Sequence, residues 1–199
     1  MKDNKIITIY FGLPGAGKTT IAAHNASKCL KHGMNVYSNV PIVGTIPYSA
    51  EDLGVFQLEN GRVILDEAGI EFNNRDFKSF KKSALMFFKL HRHYGLSIDV
   101  FSQGWDDMDK KIRTLAQRYY LVKRSIIPFF IVKVPIRRRI GVNEFTKEIC
   151  DTYSIDHGLL SLFTCERIFA PSCWKLFDSF ECPSLPPLSS KDKKILNSL

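Results

Sequence analysis

Apolar and polar positions alternate along the chain in a way that predicts strands and helices in turn. Residues 5–11 form a short run rich in isoleucine and aromatics, which predicts a buried strand. Residues 18–31 carry apolar side chains at helical spacing and end just before Gly33, which predicts a helix. A second strand is expected at residues 35–40, whereas residues 43–61 are rich in turn signals and are predicted as loop.

The middle of the chain continues this alternation. The predicted elements are strands at 63–65, 97–102, 118–124 and 126–134 and helices at 77–94 and 106–117. Pro128 places the last of these strands near the edge of a sheet, because proline cannot donate to a strand ladder. Strands that alternate with helices predict an α/β fold with a mostly parallel central sheet.

The alternation weakens after residue 139. We expect a core domain over residues 1–150 and a small irregular extension over residues 151–199 that packs on it. The extension contains scattered aromatics, cysteines and prolines, and we expect a flexible tail from about residue 184.

The composition is typical of a folded protein with an anionic partner. The chain has 199 residues, of which 45% are apolar and 24% charged, so a packed core is feasible. Lys and Arg total 28 against 20 acidic residues, and the net charge of +8 favours nucleic acid, nucleotides or an acidic membrane surface as partner. The five cysteines form no CxxC pair, which indicates reduced thiols rather than a zinc site. No stretch approaches the ~20 apolar residues that a membrane-spanning helix needs.

Residues 12–19 read GLPGAGKT and match the pattern GxxxxGK[ST] between a predicted strand and a predicted helix. The glycines let the backbone N–H groups turn toward a phosphate chain, and the helix that follows adds the positive end of its dipole. Lys18 is expected to reach the β- and γ-phosphates of ATP, and Thr19 to ligate Mg²⁺. The predicted nucleotide-binding residues are Gly12, Leu13, Pro14, Gly15, Ala16, Gly17, Lys18, Thr19 and Thr20.

Polar side chains also follow two other predicted strands. Asp66 ends the strand at 63–65 and is expected to hold the shell of the Mg²⁺ ion, while Glu67 polarises a water for attack on the γ-phosphate. Hydrolysis requires this second carboxylate. Phosphoryl transfer to a bound substrate does not require it, so the acidic pair favours an ATPase over a small-molecule kinase. The strand at 97–102 is expected between the loop strand and the acidic strand, which would let Gln103 touch the γ-phosphate or the attacking water.

Basic residues suggest two further roles. The candidates for transition-state stabilisation are Arg75, Arg92, Arg113 and Arg118. An arginine supplied by a neighbouring subunit can raise the rate by ~10³–10⁵-fold, and the spacing alone does not single one out. Residues 77–95 mix cations with aromatics and residues 137–139 read RRR, which is typical of contact with a nucleic-acid backbone. A solvated helix face over an apolar core is an equal alternative for the first stretch.

In combination these motifs resemble the zonula occludens toxin family, the assembly ATPases of filamentous phages, which are related to DNA-pumping P-loop ATPases. The resemblance is concentrated in residues 5–40 and 62–124. Besides the loop and the acidic pair it rests on Phe72, Asn73 and Arg75, on His91 and Arg92, on the strand that ends in Gln, and on Asp109, Lys110 and Arg113. Residues 174–183, WKLFDSFECP, resemble the closing segment of the family.

The resemblance implies a RecA-like core and an ATP-hydrolysing, Mg²⁺-dependent motor that extrudes single-stranded phage DNA through the host inner membrane. It supports the roles given above to the loop, the acidic pair and Gln103, and it makes Arg92 or Arg113 the better source of the transition-state arginine. The implied partners are further copies of the chain in a ring, the DNA or its protein complex, coat proteins, and the inner membrane or a membrane-anchored phage protein. The implied location is the host cytoplasm, at the cytoplasmic face of that membrane.

Family members usually continue into a transmembrane helix, which this sequence lacks. We therefore expect either the ATPase module of a longer protein or a short form that uses the membrane anchor of a partner. Two other functions stay open at this point. A nucleoside or nucleotide kinase has the same loop at a similar length, and a nucleotide-gated scaffold or toxin-like effector would need no turnover.

Overall fold

The strands and helices predicted between residues 5 and 134 occur in the predicted order, and the structure adds strands that were not predicted at Ile46–Pro47, Ile149–Ile155 and Glu166–Phe169. The computed structural model describes residues 5–48, 52–58, 60–66, 82–142, 149–155 and 164–178. The strands are β1 (Ile7–Phe11), β2 (Asn35–Ser38), β3 (Ile46–Pro47), β4 (Gly61–Leu65), β5 (Leu96–Ser102), β6 (Arg118–Arg124), β7 (Phe130–Val142), β8 (Ile149–Ile155) and β9 (Glu166–Phe169). The helices are α1 (Lys18–Lys31), α2 (Lys82–Leu90), α3 (Lys110–Leu115) and a 3-10 helix, Ala170–Leu176.

All of these strands join one sheet, in the order β3-β2-β4-β5-β1-β6-β7-β8, with β9 also paired to β7. Neighbours from β3 to β6 run parallel, whereas β7 is antiparallel to β6, β8 and β9. This confirms the predicted α/β class with a mostly parallel sheet. It also confirms that β5 lies between the loop strand β1 and the acidic strand β4. The carboxyl ends of these three strands therefore meet at one edge of the sheet.

Apolar side chains cover both faces of the sheet, because successive residues of a strand point to opposite sides. Ile7 and Ile9 of β1 face a layer that contains Phe88 of α2 and Ile112 of α3. Tyr10 faces the other layer, which contains the buried face of α1 and the 3-10 helix. The sheet is thus held between helices on both sides, as expected for a parallel sheet.

The prediction of a strand near the sheet edge at residues 126–134 is wrong in two respects. Strand β7 begins at Phe130, and Pro128 lies in the turn that precedes it. The backbone N–H of Ser125 donates to the Phe130 carbonyl at 2.9 Å and closes this hairpin. β7 also has partners on both sides, so it is not an edge strand. Because the turn needs no ladder hydrogen bond from residue 128, the proline is accommodated without interrupting the sheet.

Both later helices are shorter than predicted. The helix expected over residues 106–117 begins only at Lys110, since the Asp109 carboxylate accepts from the Lys111 backbone N–H at 2.6 Å and caps it. Of the helix expected over residues 77–94, α2 covers Lys82–Leu90, and residues 77–81 lie outside the described part.

The predicted division at residue 150 stays a prediction, although β8 runs through that position. The tail from residue 184 lies outside the described residues. Within the part of the chain that the structure describes, no helix combines the length and the apolar character needed to cross a membrane.

Candidate nucleotide-binding site

The glycine-rich loop connects β1 to α1 at the carboxyl edge of the sheet. The Gly12 N–H donates to the Ser102 carbonyl at 3.2 Å, which joins the start of the loop to the end of β5. Gly17 has a φ of 101°, and a Cβ at this position would lie 2.3 Å from Cδ1 of Ile131. Glycine is therefore required at residue 17 both by the left-handed backbone and by the close approach of β7.

The Lys18 ammonium is held inside the curve of the loop. Its side chain is only 7% exposed, and Nζ donates to the carbonyl oxygens of Gly12 at 2.8 Å and Leu13 at 3.3 Å. A buried charge requires such partners. The positive charge of Lys18 is thus kept at the centre of the phosphate loop.

Thr19 and Asp66 bring a hydroxyl and a carboxylate together beside the loop. Thr19 Oγ1 donates to Asp66 Oδ2 at 3.0 Å, and Asp66 is buried. Hydroxyl and carboxylate oxygens are hard ligands of the kind that Mg²⁺ prefers. Since Thr19 lies in the first turn of α1 and Asp66 directly follows β4, this contact depends on the parallel order of β1 and β4 within the sheet.

Asn39 supports Asp66 and was missed by the sequence reasoning. Its Oδ1 accepts from the Asp66 N–H and its Nδ2 donates to the Asp66 carbonyl, both at 2.8 Å. These two bonds fix the backbone of Asp66 after β4. Residues 35–40 were predicted as strand, but β2 ends at Ser38, which leaves Asn39 at the carboxyl edge beside the acidic strand.

A cavity of about 660 Å³ lies against the loop and includes several of the predicted residues. It is lined by residues 14–20, by Asp66 and by Gln103. Gln103 directly follows β5, so its place at the cavity agrees with the predicted strand order. Glu67, and the family segment that contains Phe72, Asn73 and Arg75, lie outside the described residues. The roles of Glu67 and Gln103 stay predictions.

The structure does not bring Arg92 or Arg113 to this cavity within one chain. Arg92 Nε donates at 3.2 Å to the carbonyl of Lys5, which lies before β1 and therefore at the end of that strand remote from the loop. Arg113 Nη1 donates to the Trp105 carbonyl at 3.0 Å, and its guanidinium lies 5.3 Å from the centre of the Trp105 ring. Arg118 lines a different cavity, on the face of the sheet. A catalytic role for Arg92 or Arg113 stays a prediction and would have to operate on a neighbouring subunit.

Arg124 lies at the cavity and was also missed. Its Nε donates to the Gly15 carbonyl at 2.8 Å, and its side chain lines the cavity. Arg124 is the last residue of β6, the parallel neighbour of β1. Asp66 and Gln103 were predicted because each is a polar residue at the carboxyl end of a strand near the loop. Arg124 meets the same criterion.

The fold and this site together are those of a P-loop NTPase. A family model described as zonular occludens toxin (Zot) matches residues 48–135 of the chain. This match confirms the predicted resemblance to that family.

One solved structure supports the fold, and a second is reported beside it for comparison. The N-terminal domain of zonular occludens toxin from Neisseria meningitidis is 20% identical, has a TM-score of 0.56, and the alignment covers 87% of this chain and 98% of that one. The genome packaging NTPase B204 from Sulfolobus turreted icosahedral virus 2, solved with ATP-gammaS, is 12% identical with a TM-score of 0.49, over 74% of this chain and 96% of that one. No curated protein matches the chain.

Proposed function

We propose that the protein is an ATP-hydrolysing motor of filamentous-phage assembly that couples ATP turnover to extrusion of single-stranded phage DNA through the host inner membrane. The observation that carries the ATPase assignment is the contact of 3.0 Å between Thr19 Oγ1 and Asp66 Oδ2 beside the buried ammonium of Lys18. The assignment to phage assembly rests on the match of residues 48–135 to the Zot family.

Nucleotide binding would use the phosphate loop in the conformation that the structure shows. The backbone N–H groups of Gly15 and of residues 17–19, the last of them at the N-terminus of α1, offer donors to a phosphate chain, and Lys18 supplies a full positive charge at the same place. Thr19 and Asp66 fit Mg²⁺ because their oxygens already lie at hydrogen-bonding distance from each other. When bound, this ion would offset the negative charge of the β- and γ-phosphates.

Hydrolysis would add three further groups. Glu67, next to Asp66 in the sequence, would accept a proton from the attacking water. Gln103 would orient that water or the γ-phosphate, since it lines the same cavity as Asp66. Arg92 or Arg113 of an adjacent copy in a ring would stabilise the transition state.

The excess positive charge supports a nucleic-acid partner. Arg137 and Arg139 are two residues apart on β7 and exposed, so both point to the same side of the sheet. Arg138 points the other way and donates to the Thr114 carbonyl at 3.0 Å. The proposed partners are single-stranded DNA or its protein complex, coat proteins, and the inner membrane or a membrane-anchored phage protein at its cytoplasmic face.

The test is phosphate release measured with and without single-stranded DNA. We expect turnover that the DNA stimulates, loss of turnover with retained ATP binding in Glu67→Gln, and loss of binding in Lys18→Ala. Lys31→Ala is the matched control, because Lys31 is exposed at the other end of α1 and the substitution removes the same charge.

Other results would contradict the proposal in distinguishable ways. Undiminished hydrolysis in Glu67→Gln would remove that residue as the base. A phosphorylated nucleoside among the products would identify a kinase. ATP binding without turnover, also in the presence of DNA and membranes, would support a nucleotide-gated scaffold or effector.

A further inference from the structure

The cavity over the phosphate loop has a polar end and an aromatic end. The loop, Asp66 and Gln103 form the polar end. Phe129 and Trp174, which we call the aromatic pair, line the other end with their ring centres 6.1 Å apart at an angle of 68°. The two side chains are 61% and 56% exposed, respectively, so ring surface is available to a ligand.

Backbone contacts fix the position of the aromatic pair. Phe129 closes the turn before β7, and its carbonyl accepts from the Ala170 N–H at 2.8 Å. Ala170 begins the 3-10 helix that carries Trp174, so one hydrogen bond joins the two segments. Two positions further along β7, Ile131 lies against Gly17 of the loop. The aromatic pair therefore has a defined place relative to the phosphate loop.

Phe129 is held in an unfavourable conformation. Its φ is 66°, in the left-handed region, and no other non-glycine residue of the described ranges has a positive φ. A bulky side chain rarely adopts this conformation, and such strain is concentrated at ligand sites. Since the ring is mostly exposed, burial of apolar surface does not explain why a large aromatic occupies this position.

We propose that Phe129 and Trp174 bind the base of the nucleoside triphosphate whose phosphates occupy the loop. This inference rests on the proposed function, because it assumes that the loop binds a nucleoside triphosphate. Planar bases stack on aromatic side chains, and the cavity volume of about 660 Å³ is within the usual range for sites of small organic ligands. Stacking depends mainly on ring area, so we assign purine nucleoside triphosphates as the preferred class over pyrimidine ones.

The experiment compares binding of ATP, CTP and inorganic tripolyphosphate, the last of which has the phosphates without a base. Phe129→Gly removes the ring and tolerates the positive φ, whereas Trp174→Ala removes the second ring at an exposed position. Trp174→Ala is expected to weaken ATP binding by about tenfold, in line with the loss of one stacking contact. Because the two rings lie at 68° to each other, they cannot both stack on one base, so Phe129→Gly removes an edge contact and should weaken ATP binding by about threefold. Binding of tripolyphosphate should change less than about twofold, because the loop is untouched.

A conservative variant and a spectroscopic signal separate stacking from a structural role. Trp174→Phe should retain ATP affinity within about threefold, since a phenyl ring can still stack. In the wild type, Trp174 fluorescence should be quenched by ATP and not by tripolyphosphate. Trp105 is the other tryptophan of the chain, so the quenching should disappear in Trp174→Phe.

Two matched controls lie outside the cavity lining. Phe56 has the same exposure of 61% as Phe129, and Ile126 is fully exposed in the same turn. Phe56→Ala and Ile126→Gly should leave the affinities for ATP and tripolyphosphate unchanged.

Unchanged ATP affinity in folded Trp174→Ala and Phe129→Gly would overturn the inference, as would an equal loss of ATP and tripolyphosphate binding. If Phe129→Gly does not fold, Trp174→Ala decides alone. A wild-type protein that binds tripolyphosphate and ATP equally well would also contradict base binding while leaving the phosphate loop intact. A wild type that binds neither would contradict the proposed function itself.

Discussion

Nε of Arg124 donates a hydrogen bond of 2.8 Å to the carbonyl oxygen of Gly15, which ties the end of β6 to the phosphate loop. Gly15 has a φ of 71°, and Nη2 of Arg124 would lie 3.5 Å from a Cβ at this position. The shape of the loop therefore depends on a side chain that is 109 residues away in sequence.

Arg124→Ala should weaken ATP binding, because the loop loses a bond that helps to hold its conformation. The bond is exposed, so we expect a loss of about fivefold, equivalent to ~1 kcal/mol. Titration with ATP measures it. Lys123→Ala removes the same charge from the adjacent exposed residue of β6, whose side chain points to the opposite face. Equal effects of the two substitutions would show that only the net charge matters.

Thr19→Ala should reduce the contribution of Mg²⁺ to ATP affinity, because the ion would lose a hydroxyl ligand beside Asp66. The quantity to measure is the ratio of ATP dissociation constants without and with Mg²⁺. We expect this ratio to fall by about tenfold or more, whereas Thr19→Ser should preserve it. A full magnesium effect in Thr19→Ala would exclude Thr19 as a ligand.

Asp99→Ala should strongly destabilise the protein. Asp99 is fully buried and accepts from Arg62 Nη1 at 2.8 and 2.9 Å and from Asn25 Nδ2 at 2.8 Å. The nearby carboxylate raises the pKa of the Arg62 guanidinium, which stays charged. Removing Asp99 leaves that charge without its ion-pair partner, so the free energy of unfolding should fall by about 3 kcal/mol in urea titrations.

A second ion pair provides the control for Asp99. Asp106 pairs with Arg113 at 3.3 Å, but the Asp106 side chain is 93% exposed. Asp106→Ala should therefore change the free energy of unfolding by less than about 1 kcal/mol. Similar losses in the two variants would contradict the importance of burial for the pair between Asp99 and Arg62.

Stability should decrease as the pH falls below about 6.5. Burial lowers the pKa of His91 and of His24 from the ordinary value of 6.5. The unfolded chain therefore binds more protons than the folded one below this pH, and proton uptake favours unfolding. Urea midpoints at pH 7.5 and at pH 5.5 measure the effect. The double variant His24→Gln, His91→Gln should show a smaller difference between the two midpoints. The two single variants measure how much of that difference each histidine contributes. An unchanged difference in the double variant would show that other groups cause the pH dependence.

Local sequence signals predicted much of the fold. Helix α1 and strand β6 have the predicted bounds, because each is determined by apolar periodicity and by turn residues close in sequence. The loop was predicted for the same reason, since its glycines, Lys18 and Thr19 are consecutive or nearly so. The predicted start of β7 was wrong because residues 126–129 are mostly apolar but form a turn. Their apolar character alone does not distinguish this turn from the strand that follows it.

The sequence by itself thus determined the α/β class, the phosphate loop and the strand-end residues Asp66 and Gln103. Only the tertiary structure showed the hydrogen bonds between Asn39 and Asp66 and between Arg124 and Gly15. It also showed that the aromatic pair lines the cavity at the phosphate loop. These contacts join segments far apart in the chain at the ends of different strands. They depend on strand order and on the closing of the hairpin before β7, whereas hydrophobic periodicity reports only on neighbours along the chain.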